Sequence, residues 1–92
     1  MSNDPLLQPY RLKHLTLRNR IVVTSHEPTY CDDGLPKDRY RAYTVARAKG
    51  GIAMTMTAGS AAVSRDSPPA FNNLLAWRDE IVPWVRRMTD EV

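Results

Sequence analysis

Two short apolar segments, separated by a single helical one, constrain the fold of this chain more than any other feature. The first, IVVT at residues 21–24, lies in a strand predicted over residues 20–25, and a second strand is predicted over residues 52–57. Apolar residues follow one another in the first segment without alternation, which is typical of parallel strands covered on both faces. Two strands and two helices cannot cover both faces and both edges of such a sheet. We therefore expect these 92 residues to be part of a larger α/β domain.

A helix is predicted between the two strands, over about residues 37–49. Pro36 is suited to the start of a helix, Asp38 lies in the first turn, and Gly50-Gly51 follows the last turn. These positions agree with the capping preferences and the dipole of a helix. Three residues are expected on its packed face: Tyr40, Tyr43 and Ala46.

A second helix is predicted from about residue 80 to residue 92, with Asp79 as its N-cap. Its apolar residues recur at the spacing of an amphipathic helix. They are Ile81, Trp84, Val85, Met88 and Val92. This pattern predicts that the helix packs one face on the core. Trp84, on that face, and Trp77, before the helix, are both expected in the core.

The remaining segments predict a short ribbon, a loop and a run of small residues. Residues 10–19 are predicted to form a tight pair of strands that turn at Lys13-His14. Residues 64–75 are predicted to form a polar loop. The small residues AGSAA at positions 58–62 would let a ligand approach the backbone closely. A tight turn or close helix packing explains the same composition, and the spacing alone favours that structural explanation.

Charge and cysteine content exclude several classes of protein. Lys and Arg outnumber Asp and Glu by 13 to 10, and this net charge of +3 is spread along the chain. Such a distribution is typical of a solvated surface, so nucleic-acid binding is not expected. No apolar run reaches the roughly 20 residues of a membrane span, and no secretory signal pattern begins the sequence, so we expect a cytoplasmic protein without membrane contact. The single cysteine, Cys31, cannot form an internal disulfide.

Four segments, in their order along the chain, resemble the Old Yellow Enzyme family, the NADH:flavin oxidoreductases. They are LTLRNRIV at residues 15–22, the Gly50-Gly51 pair before a strand ending in TAGSA at 57–61, WRDE at 77–80, and MTDEV at 88–92. The resemblance covers residues 6–92. It looks closest to the amine-oxidising branch, which includes the trimethylamine dehydrogenase type and the dimethylglycine or betaine demethylase type.

The resemblance implies a TIM barrel that carries FMN at the carboxyl ends of its strands. Residues 1–92 would be the N-terminal part of one such FMN-binding domain: a β-ribbon followed by the first two βα units. A complete (β/α)₈ barrel needs about 250 residues, so the barrel would be incomplete in this chain.

The resemblance also implies flavin contacts at the ends of both strands. On the first strand the implied contacts are Thr24, Ser25 and His26, and after the second strand the implied contact is Gly59. Family members usually have proline where Ser25 stands and often an acidic residue where Ala58 stands. Amine dehydrogenases with covalently bound flavin have a cysteine at the position of Glu27. Glutamate cannot form that thioether, so FMN is expected to bind noncovalently.

Other polar residues in this region have competing explanations. His26 could contact flavin or substrate, or it could be a plain residue at the end of a strand. Glu27 could attract a cationic amine, although a solvated loop carboxylate is the favoured explanation. Cys31 lies four residues too late to replace the covalent cysteine and is expected to be a bystander. The spacing of His26, Asp32, Asp33 and Asp38 matches no metal site, so no metal is expected.

The function predicted from the sequence is that of part of an FMN-dependent oxidoreductase. The whole enzyme would transfer hydride between NAD(P)H, or an N-methylated amine, and other acceptors, with a small-molecule substrate. No catalytic residue is assigned, because the family's proton donors lie mostly beyond residue 92, and these 92 residues alone are expected to be inactive. The alternative is a non-catalytic interaction module with a mildly basic surface. Uncovered strand edges also predict a homo-oligomer.

Overall fold

The computed structural model describes residues 3–57 and 59–92. It shows a small mixed α/β arrangement whose elements follow a 3₁₀ turn at Pro5–Leu7. They are β1 (Tyr10–Leu12), β2 (Leu15–Leu17), β3 (Val22–Val23), α1 (Asp38–Lys49), β4 (Met54–Thr55), β5 (Ala61–Ala62), β6 (Leu74–Leu75) and α2 (Ile81–Glu91). In the described residues the strands form three two-stranded sheets: β1 with β2 antiparallel, and β3 with β4 and β5 with β6 parallel.

The predicted ribbon is confirmed. β1 pairs with β2 in a register that joins Tyr10 to Leu17, and the chain turns between them at Lys13 and His14. Lys13 adopts a φ of 53°, so this tight turn is made without the glycine or asparagine that such turns prefer.

The predicted parallel β-α-β unit is also confirmed, with α1 as the crossover between β3 and β4. The strands differ from the prediction in length and burial. Each is two residues long instead of six, and all four of their residues are only half-buried. Parallel strands gain full pairing and burial from neighbours on both edges and both faces, and the described residues supply β3 and β4 with one partner strand each.

The packed face of α1 differs from the predicted one by about one residue. Tyr40, Thr44 and Val45 are buried, whereas Tyr43 is half-buried and Ala46 is exposed. The buried side comprises the residues that face α2 and β4, the two elements against which α1 packs. The Thr44 hydroxyl is accommodated there because it donates to the Tyr40 carbonyl at 3.3 Å.

The amphipathic face of α2 packs on the core as predicted. The core comprises Cys31, Leu35, Tyr40, Leu74, Ile81 and Met88, with Tyr30, Trp84 and Val85 packed against it. Three predicted details of this region are wrong. The N-cap is Glu80 and not Asp79, and the last apolar residue, Val92, is 51% exposed. Trp77 is half-buried beside the Arg65 guanidinium, outside this core.

The segment predicted as a polar loop contains a buried strand. Leu74 is 4% exposed and belongs to β6, which pairs with the alanines of β5. β6 also packs on the loop before α1, where the Leu75 amide donates to the Gly34 carbonyl at 2.9 Å. A Cβ on Gly34 would lie 2.3 Å from the Leu75 side chain, so glycine permits this approach.

Candidate functional site

The carboxyl ends of β3 and β4 form one edge of the parallel pair. Val22 pairs with Met54, and the Met56 amide donates to the Val23 carbonyl at 3.1 Å, so both strands end at the same level. Four residues beyond these ends were predicted to contact a cofactor, and all four are exposed: Thr24, Ser25, His26 and Gly59.

Gly59 is the point at which the two segments meet. It has a φ of 54°, and a Cβ added to it would lie 2.7 Å from the Cβ of Glu27. The flavin contact expected at Gly59 stays a prediction. The direction that a side chain at position 59 would take is filled by Glu27, so glycine permits a close contact between the segments that follow β3 and β4. Ala58, where family members often have an acidic residue, lies outside the described residues.

Glu27 is not the solvated carboxylate that was favoured from the sequence. Its side chain is half-buried, and Oε1 accepts a hydrogen bond from the Thr29 amide at 3.0 Å. Oε2 is buried and has no hydrogen-bond partner within residues 3–57 and 59–92. A buried carboxylate oxygen without a donor is costly, so this atom is suited to a donor or cation from outside the described residues.

A side chain of α1 contacts the ring of His26. Its Nδ1 atom lies 3.2 Å from the Tyr43 hydroxyl. The Arg47 guanidinium lies 3.4 Å from the centre of the Tyr43 ring, and the Tyr30 and Tyr43 rings form a T-shaped pair with their centres 5.6 Å apart. Sequence reasoning assigned Tyr43 to helix packing alone. The signal in the sequence that could have revealed a contact of Tyr43 with Arg47 is their spacing of four residues on a predicted helix.

Cys31 belongs to the buried core and is 6% exposed. Desolvation by burial, with a contribution from the negative charge of Glu27, raises the pKa of the Cys31 thiol from 9.0 to about 11. At neutral pH the thiol is therefore protonated and a poor nucleophile. This environment agrees with the prediction that Cys31 takes no part in covalent flavin attachment.

The edge offers polar side chains and open backbone. Its exposed residues Thr24, Ser25 and His26 have polar side chains, and Gly59 adds backbone without a side chain. A flavin ring presents carbonyl oxygens and ring nitrogens that are bound by such groups. These residues therefore fit FMN. In the described part of the chain, no group of three His, Cys, Asp or Glu could hold a metal, and no helix is long and apolar enough to cross a membrane.

Comparison with known proteins gives consistent relationships along the whole chain. Residues 5–92 match the family described as NADH:flavin oxidoreductase / NADH oxidase. Over 92 residues the chain is 80% identical to a probable N-methylproline demethylase of Rhizobium meliloti. It is 46% identical over 91 residues to a multifunctional alkene reductase/demethylase of Caballeronia cordobensis. Identity to an N,N-dimethylglycine/sarcosine dehydrogenase of Chromohalobacter salexigens is 36% over 94 residues.

These matches cover 99 to 100% of this chain and 14% of the length of each of the three relatives. Two of the relatives are named as demethylases, one of them for N-methylproline, and the third is named as a dehydrogenase of N,N-dimethylglycine and sarcosine.

Proposed function

Because the chain belongs to the NADH:flavin oxidoreductase / NADH oxidase family, we propose that it is part of an FMN-dependent oxidoreductase that demethylates an N-methylated amino acid. The observation that carries this proposal is the 80% identity to a probable N-methylproline demethylase. The β3-α1-β4 unit and the preceding ribbon would be the first part of a (β/α)₈ barrel, in which the carboxyl ends of the strands form the active site.

The residues at this edge would hold the flavin without a covalent bond. Thr24, Ser25 and His26 would supply backbone and polar side-chain groups from the first strand end, and Gly59 would supply backbone from the second. Glu27 replaces the cysteine of covalent flavin enzymes, and the Cys31 thiol is buried and protonated. FMN when bound would supply a two-electron acceptor for hydride.

The substrate's positive charge would be recognised by Glu27. An N-methylated amino acid carries an ammonium group. Loss of the proton from this nitrogen and of hydride from the N-methyl carbon leaves a cationic iminium, which water hydrolyses to formaldehyde and the demethylated amine. The half-buried Glu27 carboxylate has one oxygen that finds no donor among the described residues, and it lies where both strands end. A negative charge in a partly desolvated position attracts a nearby cation more strongly than one in bulk water.

Purification of the full-length protein tests the proposal directly. We expect a yellow protein that releases free FMN on acid denaturation. Anaerobic addition of N-methylproline should bleach the flavin absorbance, and aerobic turnover should release one formaldehyde for each methyl group lost. A colourless protein that cannot be reconstituted with FMN would support the interaction-module alternative instead.

A charge-removing variant tests the role of Glu27. Glu27→Gln keeps the size of the side chain, and we expect it to raise KM for N-methylproline roughly tenfold, because an ion-pair contribution of this kind is about 1 to 2 kcal/mol. The KM for NADPH in the same preparation should be unchanged. Equal effects on both substrates would indicate that Glu27 acts on the fold of the strand ends and not on the ammonium group.

Alkene reduction is the second candidate, because the relative with 46% identity is named for both alkene reduction and demethylation. In that reaction NAD(P)H delivers hydride and an activated alkene accepts it. Anaerobic reduction distinguishes the two candidates: an alkene reductase is bleached by NADPH and not by N-methylproline, whereas the proposed demethylase is bleached by N-methylproline.

A further inference from the structure

We propose that Tyr43 is a positioning residue for His26, which it holds with the Nε2 atom protonated and available to a ligand at the carboxyl end of β3. The contact that carries this inference is the 3.2 Å distance between the Tyr43 hydroxyl and Nδ1 of His26. His26 is exposed in a segment without regular secondary structure, whereas Tyr43 lies in the middle of α1. The position of Tyr43 is therefore set by α1, and Tyr43 in turn orients His26 in the loop after β3.

The polarity of this hydrogen bond determines which ring nitrogen carries the proton. A neutral imidazole has one nitrogen that donates and one that accepts. A phenolic hydroxyl is a better donor than acceptor, so we assign the Tyr43 O–H as the donor to Nδ1, which places the proton of the neutral ring on Nε2. His26 then offers a hydrogen-bond donor at the strand end. On the proposed function, that donor would meet an acceptor atom of FMN.

The Tyr43 ring is itself held on several sides. Arg47 donates from Nη1 to the Tyr43 carbonyl at 2.8 Å, and its guanidinium lies 3.4 Å from the ring centre. The Tyr30 ring packs on it at an interplanar angle of 87°, and the Arg39 guanidinium lies 3.9 Å from the centre of the Tyr30 ring. Cation–π and edge-to-face contacts of this kind favour one ring orientation. The hydroxyl is thereby directed at His26.

The tautomer of His26 can be measured in the chain itself, because it contains only two histidines. His14 is exposed in the turn between β1 and β2 and serves as an internal reference. The measurement uses ¹⁵N-labelled histidine at a pH at which both imidazoles are neutral. We expect the ratio of the Nε2–H to the Nδ1–H tautomer to be about two- to tenfold higher for His26 than for His14, because one hydrogen bond stabilises the Nε2–H tautomer of His26 by this factor. Tyr43→Phe should reduce the His26 ratio to that of His14.

Tyr30→Phe is the matched control. It keeps the ring that packs on Tyr43 and removes a hydroxyl that makes no contact with His26, so the His26 tautomer ratio should stay at its native value. Equal ratios for His26 and His14 in the native chain, or a His26 ratio that Tyr43→Phe leaves unchanged, would overturn the proposal. An amide spectrum without dispersion would overturn it as well, because the contact would then be absent.

A second measurement concerns the ligand and rests on the proposed function. In the full-length protein, Tyr43→Phe and His26→Gln should each raise the FMN dissociation constant about two- to tenfold. The double variant should bind FMN no more weakly than His26→Gln alone, because Tyr43 acts through His26. Additive effects would contradict the positioning role. A native protein that binds no FMN would refute the proposed function, while the tautomer ratio would still decide the role of Tyr43.

Discussion

At the scale of single residues, the strand-end site depends on a contact between one glycine and one glutamate. Gly59 has a left-handed φ of 54°, which most side chains adopt at a cost, and its missing Cβ leaves room for Glu27. The same glutamate has a buried oxygen without a donor in the described residues. Gly59 therefore determines the position of a carboxylate as well as the path of the backbone.

Substitution of Gly59 should lower stability through both effects. We expect Gly59→Ala to lower the free energy of unfolding by about 2 kcal/mol and Gly59→Val by more, with loss of bound FMN in the full-length protein. Because the close contact is with Cβ of Glu27, a Glu27→Gly background should reduce the cost of Gly59→Ala. Chemical denaturation of the native protein, Gly59→Ala, Glu27→Gly and the double variant measures this coupling. If the two single-variant costs simply add in the double variant, the contact is contradicted. Full FMN content in Gly59→Val would show that Gly59 does not lie at the flavin.

Cys31 is a residue whose environment decides its chemistry. Burial and the charge of Glu27 raise its pKa to about 11, so the thiolate fraction at pH 8 is about 100-fold smaller than for a thiol of pKa 9.0. We expect iodoacetamide to modify Cys31 at least about 100-fold more slowly than a cysteine placed at position 14 in a Cys31→Ala background. The rate should continue to rise with pH towards 11. Modification at the rate of the exposed control would contradict the buried position.

At the scale of elements, Arg18 and Asn19 join the ribbon to the β-α-β unit. The Arg18 guanidinium donates to the carbonyls of Ala48 and Ile52, both at 2.8 Å, at the carboxyl end of α1. A cation at this end of a helix is stabilising. Asn19 is 9% exposed, donates to the Gly51 carbonyl at 2.6 Å and accepts from the Ile21 amide at 3.0 Å. These bonds set where β3 begins.

Removal of the Asn19 side chain should loosen this junction. We expect Asn19→Ala to lower the free energy of unfolding by about 2 kcal/mol, because two part-buried hydrogen bonds are lost and the Gly51 carbonyl and the Ile21 amide lose their partner. The matched control is Arg20→Ala, which removes an exposed side chain bonded to Pro9 at 3.4 Å and should cost less than about 1 kcal/mol. Equal costs in thermal or urea unfolding would show that the junction does not depend on Asn19.

At the scale of the whole molecule, the chain is more extended than a closed domain. Its radius of gyration is 15.0 Å and its extents are 49 × 25 × 22 Å, whereas a compact domain of this length has a radius of gyration of about 12 Å. Large apolar side chains are exposed on the 3₁₀ turn and the ribbon, beside the β3–β4 pair and on α2. They include Leu6, Leu7, Tyr10, Leu15, Ile21, Met56 and Val82.

An extended shape with open strand edges predicts self-association of the 92-residue chain. β3 and β4 each have one strand partner in the described residues, and unpaired strand edges beside apolar side chains favour pairing with a second chain. We expect a homodimer in size-exclusion chromatography with light scattering, at concentrations on the order of tens of micromolar. A monomer with a cooperative thermal transition would show that the chain covers its own core.

Local rules were sufficient for the elements that depend on local chemistry. The ribbon, the parallel β-α-β unit and α2 follow from residue period, turn residues and helix ends, and the family follows from motifs such as LTLRNRIV and WRDE. The structure gives these motifs a physical role. Asn19 of the first binds the end of α1, and Arg78 of the second forms an ion pair with Asp33 at 3.2 Å in the loop before α1.

What only the tertiary structure decided depends on contacts between distant parts of the sequence. The spacing of apolar residues predicted which faces would pack. The burial of Leu74 in β6 depends on the pairing of β6 with β5. The short, half-buried β3 results from having one partner strand in the described residues. The predicted positions Thr24, Ser25, His26 and Gly59 do lie at one edge, because parallel strands end on the same side. The contacts of Gly59 with Glu27 and of Tyr43 with His26 join residues 32 and 17 positions apart in the chain. Periodicity describes neighbours along a helix or a strand, so contacts over such separations arise only when the chain folds.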